Sequence, residues 1–125
     1  MDRAQVRRWV DAYERLWRTP GTDALAEMFT PDASYRPSPW KEPIRGLEEL
    51  ARFWDRAREG ADERFTMARD VVAVDGDTAV VRLAVDYLDE APGQWRDLWV
   101  IEFDDDGRCR SFEEWPFAPD QDDGH

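Results

Sequence analysis

The residues of this chain that could do chemistry together are three carboxylates and one arginine in its second half. They are Arg82, Asp86, Asp97 and Glu114, and each lies in a run of alternating apolar and polar residues that is typical of a β-strand. Two carboxyl groups held close together in a dry site cannot both ionise comfortably, so one keeps its proton. The pair then offers an acid beside a base, as general acid–base catalysis requires. These four residues are the candidate catalytic residues.

Which of these side chains share a face depends on the hairpins. Asp75-Gly76 lies between two alternating runs, a pattern that predicts a two-residue turn. A turn at that position places Val74 opposite Asp77 and Arg69 opposite Arg82. The two arginines would repel each other, which implies a shared acidic partner or an anionic ligand group.

A second pair, Asp106-Gly107, predicts another two-residue turn, which sets Ile101 opposite Phe112 and Trp99 opposite Glu114. The hairpin between these two has a longer loop, at 89–94, which leaves its register open. The register that keeps aliphatic residues together sets Asp86 opposite Asp97, about 4.5–5.5 Å apart at Cβ. The alternative is that both carboxylates are solvated or paired with an arginine.

Further elements precede the hairpins. Helical spacing predicts helices at 3–18, 22–29 and 46–60, and four prolines between 30 and 45 leave room for one short edge strand at 33–36. Period-2 alternation predicts strands at 65–74, 77–88, 95–104 and 108–117. We expect one α+β domain over residues 1–118, with a curved, cone-shaped antiparallel or mixed sheet wrapped around three N-terminal helices. The acidic tail, 119–125, is expected to be disordered.

The predicted registers sort the residues of the strands onto two faces of the sheet. Both faces have more apolar area than a water-facing sheet normally has. The face with the four candidate catalytic residues also carries Phe65, Met67, Arg69, Ala84, Trp99, Ile101 and Phe112. We expect helices to cover it and enclose a cavity, because unpaired charges inside a dimer core would be costly. The other face is expected to form a homodimer, and it carries Val72, Val74, Val81, Leu83, Val85, Tyr87, Leu98, Val100 and Trp115.

Aromatic residues are the candidate ligand-binding residues of that cavity: Tyr13, Trp17, Tyr35, Trp40, Trp54, Trp99 and Phe112. They would suit a flat apolar molecule. Tyr13 could orient a ligand carbonyl through its hydroxyl, although a tyrosine on a helical apolar stripe is more often part of the core. A buried network between Arg82 and Glu114 could equally be structural.

Composition excludes several classes of function. The net charge of −12 disfavours nucleic acid and anionic membranes as partners, and no apolar run could span a bilayer. Cys109 is the only cysteine and indicates a reducing, cytoplasmic location. His125 is the only histidine and stands in the tail, so Ser-His and Cys-His catalysis and histidine metal sites have no support. We expect no cofactor, since no nucleotide-binding glycine motif is present, and no metal. A Mg²⁺ site made of carboxylates alone is the alternative, and the arginines nearby disfavour it.

The order of the elements resembles the α+β cone of the nuclear transport factor 2-like superfamily, which includes ketosteroid isomerase, SnoaL-like polyketide cyclases and limonene epoxide hydrolase. The resemblance covers residues 6–117 and is carried by the segment FTPDASYRP at 29–37, the helix start at Gly46 and the pair Phe53-Trp54. It implies a cavity for a small organic ligand.

The catalytic residues of these relatives carry over only in part. Tyr13 falls where the isomerase has its hydrogen-bonding tyrosine, but the isomerase's base falls at Pro37 and its protonated aspartic acid at Trp99. Steroid isomerisation by that mechanism is therefore not expected. The hydrolase uses an Asp-Arg-Asp cluster, whose residue types this chain also has on its strands but at a different spacing.

Three functions remain open from the sequence. An acid–base isomerase, cyclase or hydrolase predicts carboxylates inside a cavity, at least one of them protonated near neutral pH. A ligand-binding protein without catalysis predicts that the cavity's charges are all paired with arginines. An interaction module predicts no cavity, with Trp17, Trp54 and Trp99 packed solid.

Overall fold

The computed structural model describes residues 1–58, 63–89 and 93–122. Helix α1 (Arg3–Trp17) begins where the Asp2 carboxylate accepts from the Gln5 N–H at 2.8 Å and the Gln5 side chain accepts from the Asp2 N–H at 2.8 Å. The predicted apolar stripe is buried along this helix, at Val6, Trp9, Val10, Tyr13 and Leu16.

The other two helices are shorter than predicted. Helix α2 (Leu25–Met28) is a single turn, because Phe29 already belongs to the first strand. Helix α3 (Leu47–Ala57) follows Gly46, whose φ of 86° is a conformation that favours glycine. The end predicted for α3, at Gly60, lies outside the described residues.

Six strands form one mixed, unclosed sheet that curves around the helices, so the predicted α+β fold is confirmed. Their order is β2-β1-β6-β5-β4-β3; β1 runs parallel to β6 and the other neighbours are antiparallel. The strands are β1 (Phe29–Arg36), β2 (Ile44–Arg45), β3 (Phe65–Asp75), β4 (Thr78–Tyr87), β5 (Gln94–Phe103) and β6 (Cys109–Phe117). No helix in the described ranges is long and apolar enough to cross a membrane.

The register predicted between β5 and β6 is confirmed. Trp99 lies opposite Glu114, and Ile101 lies opposite Phe112. The two-residue turn predicted at Asp106-Gly107 is wrong, because residues 104–108 connect the strands and Phe103 lies opposite Cys109. A register shift between Glu102 and Phe103 restores the predicted pairing beyond the loop, so Glu114 lies on the same face of the sheet as Trp99.

The register predicted between β3 and β4 is wrong. Gly76 and Asp77 form the turn, and Asp75 pairs with Thr78. The register then shifts between Val71 and Ala73, at a bulge that accommodates one extra residue of β3. Together these two changes displace the pairing by one residue, which exchanges the two faces of β4.

As a result, Arg69 and Arg82 do not face each other. Arg69 lies opposite Leu83, and its guanidinium pairs with Asp11, at 2.7 Å, and with Glu14 of α1. Arg82 lies opposite Asp70 and pairs with it at 3.4 Å on the outer face.

The register predicted between β4 and β5 is also wrong. Asp86 lies opposite Gln94 and Asp97 lies opposite Leu83, so the two aspartates are not partners. This register turns the aliphatic residues of β4 toward the helices: Val81 and Leu83 are fully buried. The apolar inner side of β4 is the physical reason for the difference, because it removes the charges of the strand from the core.

The faces of the sheet are corrected accordingly. Arg82, Ala84 and Asp86 lie on the outer face rather than the inner one. Conversely, five residues predicted for the outer face lie on the inner face: Val74, Val81, Leu83, Val85 and Tyr87. Leu98 and Trp115 are on the outer face as predicted, each about two-fifths exposed.

Candidate active site in an aromatic cavity

A cavity of about 390 Å³ lies between the helices and the inner face of the sheet. Its helix side is formed by Tyr13, Trp17 and Phe53, and its sheet side by Tyr35, Phe65, Tyr87, Trp95 and Trp99. Each of the strands β3 to β6 contributes residues to the lining of the cavity. Apolar walls of this kind suit an organic molecule of modest size.

Two carboxyl groups, Asp97 and Glu114, project into this cavity from adjacent strands. Glu114 lies opposite Trp99, whose indole N–H donates to Glu114 Oε2 at 3.2 Å. Asp97 is two residues before Trp99 and therefore points to the same face. The two carboxyl groups are within hydrogen-bonding reach of each other.

The surroundings of Glu114 favour its neutral form. Burial raises the pKa of Glu114 well above its ordinary value, and the hydrogen bond and negative charge of Asp97 raise it further. The indole of Trp99 opposes this shift only in part. Glu114 is therefore the member of the pair that holds the proton.

Asp97 is better able to carry the charge. Burial raises the pKa of Asp97, but the hydrogen bond from Glu114, the backbone N–H of Phe117 and the positive charge of Arg96 all lower it. Only 7% of Asp97 is exposed, and its Oδ1 has no hydrogen-bond partner among the described residues. A carboxylate oxygen inside the cavity is thus available to take a proton.

Two tyrosines lie beside this pair. The Tyr13 and Tyr35 hydroxyls are 2.6 Å apart and buried. Burial raises the pKa of both well above the ordinary value, and the nearby Glu114 raises both further. Both phenols therefore stay neutral, and since one hydroxyl donates to the other, the pair has one O–H left to donate to an oxygen in the cavity.

The structure brings together only part of the predicted site. Tyr13, Trp17, Tyr35 and Trp99 line the cavity with Asp97 and Glu114. Trp54 and Phe112 lie behind this wall, with ring centroids 5.0 and 5.7 Å from that of Tyr13.

Three predicted site residues lie elsewhere. Trp40 is 97% exposed and does not line the cavity. Arg82 is on the outer face, and Asp86 pairs there with Arg96 at 3.1 Å. The corrected registers are the reason for both placements on β4.

Several residues of the cavity were not predicted from the sequence. Tyr87 and Val85 face it because β4 is inverted relative to the prediction. Glu63 also lines it and accepts from the Trp17 indole N–H at 3.1 Å. Pro37, at the position of the isomerase's base, lines the cavity but has no ionisable group. No cluster in the described ranges has three or more ligands arranged to hold a metal ion.

The raised pKa of Glu114 predicts a pH dependence of stability. The folded state keeps a proton that the unfolded chain loses above about pH 4.5, the ordinary pKa. This contribution to stability is fully present below that pH, and it is lost as pH rises towards the folded pKa, at about 1.4 kcal/mol per pH unit. Glu114→Gln should remove this loss of stability. The free energy of unfolding of the variant, compared with that of the wild type, should therefore increase with pH.

Urea unfolding of both proteins over a pH series measures that difference. Glu113→Gln is the matched control, because Glu113 lies on the outer face of the same strand and pairs with Arg36 at 3.7 Å. A constant difference between Glu114→Gln and the wild type over the series would show that Glu114 is ionised in the folded protein.

Comparison with known proteins identifies the family. Residues 6–112 match the family model of the SnoaL-like domain, so the chain belongs to that family. This confirms the resemblance to the nuclear transport factor 2-like superfamily. A search of curated proteins gives no match.

Solved structures show the same fold. A candidate polyketide cyclase from Sinorhizobium meliloti is 25% identical, with a TM-score of 0.68 over 86% of this chain and 93% of that one. The epoxide hydrolase/cyclase-like enzyme SalBIII, described in pyran ring formation in salinomycin, is 20% identical, with a TM-score of 0.72 over 93% of each chain. A steroid delta-isomerase from Pseudomonas aeruginosa is 21% identical, with a TM-score of 0.65 over 91% of this chain and 80% of that one.

Proposed function

We propose that this protein is a cofactor-free acid–base enzyme that isomerises or cyclises a small, largely apolar molecule bearing oxygen. One observation carries the proposal: the carboxyl groups of Asp97 and Glu114 lie within hydrogen-bonding reach of each other inside an aromatic cavity, and among the described residues neither forms an ion pair with an arginine. A neutral acid beside a charged base is the arrangement that general acid–base catalysis needs.

The pair can complete a reaction cycle by itself. Asp97 takes a proton from a carbon or hydroxyl of the substrate, while Glu114 gives its proton to a substrate oxygen. Asp97 is then protonated and Glu114 charged, and the hydrogen bond between them lets the proton return to Glu114. Such a cycle suits reactions that remove one proton and deliver another, as isomerisation and ring closure do.

The Tyr13 and Tyr35 hydroxyls would assist, because whichever of them accepts from the other can donate its own O–H to the substrate oxygen. They are fixed to each other at 2.6 Å and buried, so they need little reorganisation when the substrate binds. The aromatic walls would exclude water and orient an apolar substrate. A volume of about 390 Å³ is at the lower end of ordinary ligand sites, which favours a small substrate.

The comparisons support a reaction of this type. The similar solved structures include a candidate polyketide cyclase, an enzyme of pyran ring formation and a steroid isomerase. A binding protein without catalysis is the alternative. It would have its acids paired with arginines, whereas Arg96, the residue before Asp97 in the chain, bonds to Asp86 on the outer face.

The outer face of the sheet supports a homodimer as the working form. Val72, Leu98, Trp115 and Phe117 are 38–48% exposed there. A second copy would bury these side chains, and exposed apolar area of this kind is typical of an interface.

The single cysteine, which is buried, would suit a protein of the reducing cytoplasm.

A substrate screen tests the proposed activity. Wild-type protein and Asp97→Asn are incubated in parallel with small epoxides, hydroxy-ketones and β,γ-unsaturated ketones, and mass spectrometry and NMR report the products. We expect at least one class to be converted to an isomer of equal mass by the wild type alone. Equal conversion by both proteins would remove Asp97 from the mechanism and overturn the proposal.

A further inference from the structure

The charges inside the aromatic cavity have one sign. Among the described residues that line it, three are carboxylic acids, Glu63, Asp97 and Glu114, and none is basic. The segments outside the described ranges, 59–62, 90–92 and 123–125, contain no lysine or arginine. A negative charge that formed on a substrate would therefore have no cation of the cavity to offset it, whereas a positive charge would face acids.

The walls favour positive charge as well. Trp17, Trp95 and Trp99 line the cavity, and indole is the ring that attracts cations most strongly through its face. Tyr13 adds a phenol ring, stacked on Trp17 with centroids 6.2 Å apart. This attraction increases where water is excluded, and the rings of Tyr13 and Trp99 are buried.

Asp97 supplies the charge that a cation would meet. Its side chain is more than nine-tenths buried, and its Oδ1 lacks a hydrogen-bond partner among the described residues. A buried carboxylate oxygen in that state is costly, and a positive centre within reach would offset part of the cost.

The arginines nearest the aromatic wall are held by other groups. Arg18 lies 3.8 Å from the centroid of Phe65, but it pairs with Glu14 at 2.8 Å and donates to the Phe65 carbonyl at 2.7 Å. Arg58 donates to the carbonyls of Thr19 and Gly21, at 2.8 and 3.0 Å. Neither lines the cavity.

From these observations we infer that the cavity selects substrates that become positively charged during the reaction, and that organic cations of matching shape are its tight ligands. The inference rests on the proposed function, whose substrate class it narrows to molecules activated by protonation of an oxygen. The enolate route, in which a substrate becomes negatively charged, is the alternative, and ligand binding distinguishes the two.

The corresponding step balances without a further reactant. The Glu114 O–H bond breaks as its proton moves to an epoxide or similar oxygen of the substrate. The carbon–oxygen bond breaks with its electron pair going to oxygen, and positive charge develops on the carbon beside Asp97 and the rings. A hydroxyl of the same molecule forms the new carbon–oxygen bond, and its proton goes to Asp97, which returns it to Glu114.

Three probes of similar shape test the charge preference by isothermal titration calorimetry of the full chain. Trimethylphenylammonium is a permanent cation, tert-butylbenzene is its neutral isostere, and 4-nitrophenolate stands for an enolate. We expect the cation to bind at least about tenfold more tightly than the neutral isostere, and the phenolate to bind most weakly. Comparison in the wild type does not depend on any variant folding.

Two variants test whether the preference for the cation comes from the cavity. Asp97→Asn should reduce the advantage of the cation to less than about threefold, since the cation is then attracted by the rings and by Glu63, which already accepts from Trp17. Asp70→Asn is the matched control; it removes a carboxylate that pairs with Arg82 on the outer face, and should leave the preference unchanged. An equal loss in both variants would show that the net charge of the protein is responsible, and would overturn the inference.

The outcomes separate this inference from the proposed function. If the neutral isostere binds as tightly as the cation, or the phenolate binds best, the inference is overturned while the cavity remains a ligand site. If none of the probes binds, the cavity is not a ligand site and both proposals fail.

Discussion

Replacing Asp97 with Asn is expected to lower kcat/KM by a factor of about 10² to 10⁴, the range that a positioned general base contributes. Asparagine has almost the same shape and can still accept from Glu114, so the cavity remains and burial still favours the proton on Glu114. What is lost is the group that takes the substrate's proton. Steady-state kinetics on the substrate found by the screen measures the loss.

Glu114→Gln should cause a loss of similar size, because glutamine can donate a hydrogen bond but cannot deliver a proton. The double variant should lose little more than either single one, since the two residues act as a unit. Glu113→Gln and Asp70→Asn, on the outer face, are the controls. If either single variant kept more than about a third of the activity, the shared-proton mechanism would be wrong.

The rate should also depend on pH in a bell-shaped manner. Activity needs the pair to hold one proton, so it rises as the first proton leaves and falls as the second does. Because burial raises the pKa of both Asp97 and Glu114, both limbs should lie above the range of ordinary carboxyl groups.

The second large effect concerns stability and tests the face assignment of β4. Leu83→Ala should lower the free energy of unfolding by about 2–5 kcal/mol, because Leu83 is 1% exposed and its removal leaves a cavity in the core. Urea unfolding followed by tryptophan fluorescence measures the change.

Arg82→Ala, on the neighbouring residue of the same strand, is the control. Its guanidinium pairs with Asp70 on the outer face, and an exposed pair of this kind contributes little to stability. The change should therefore stay within about 0.5 kcal/mol. The reverse ranking, with Arg82→Ala more destabilising than Leu83→Ala, would mean that Arg82 faces the core.

The sequence predicted the elements well because most of them carry strong local signals. The apolar stripe of α1 and the alternation in β3 to β6 both require only the period of the apolar residues. The hairpin at Asp106-Gly107 also followed from the chain alone, and its register brought Glu114 beside Trp99. Two members of the proposed site, Asp97 and Glu114, could therefore be predicted from residue type and strand pattern.

The faces of β4 could not be predicted with the same signals. The other Asp-Gly pair is followed by Asp77, and the turn uses Gly76 and Asp77 as its central residues. A bulge near Val72 then adds one residue to β3, which no turn motif reveals. A displacement of one residue was enough to assign Arg82 and Asp86 to the wrong face.

The position of Trp40 could not be predicted from the sequence for a different reason. Its segment contains four prolines between 30 and 45 and offers no periodicity from which a direction could be deduced. Aromatic character alone suggested a cavity wall, but the side chain is almost fully exposed. Residue type predicts burial only on average, whereas the path of an irregular segment decides it for a particular side chain.

The protonation of Glu114 at neutral pH is the central claim, and carboxyl carbon-13 NMR of the full chain tests it most directly. A pH titration of protein labelled at aspartate and glutamate follows each carboxyl group, and Asp97→Asn and Glu114→Gln assign the two signals. We expect Glu114 to keep its proton through neutral pH while Asp97 is ionised. A Glu114 signal that titrates at or below its ordinary value of 4.5 would contradict the shared-proton site.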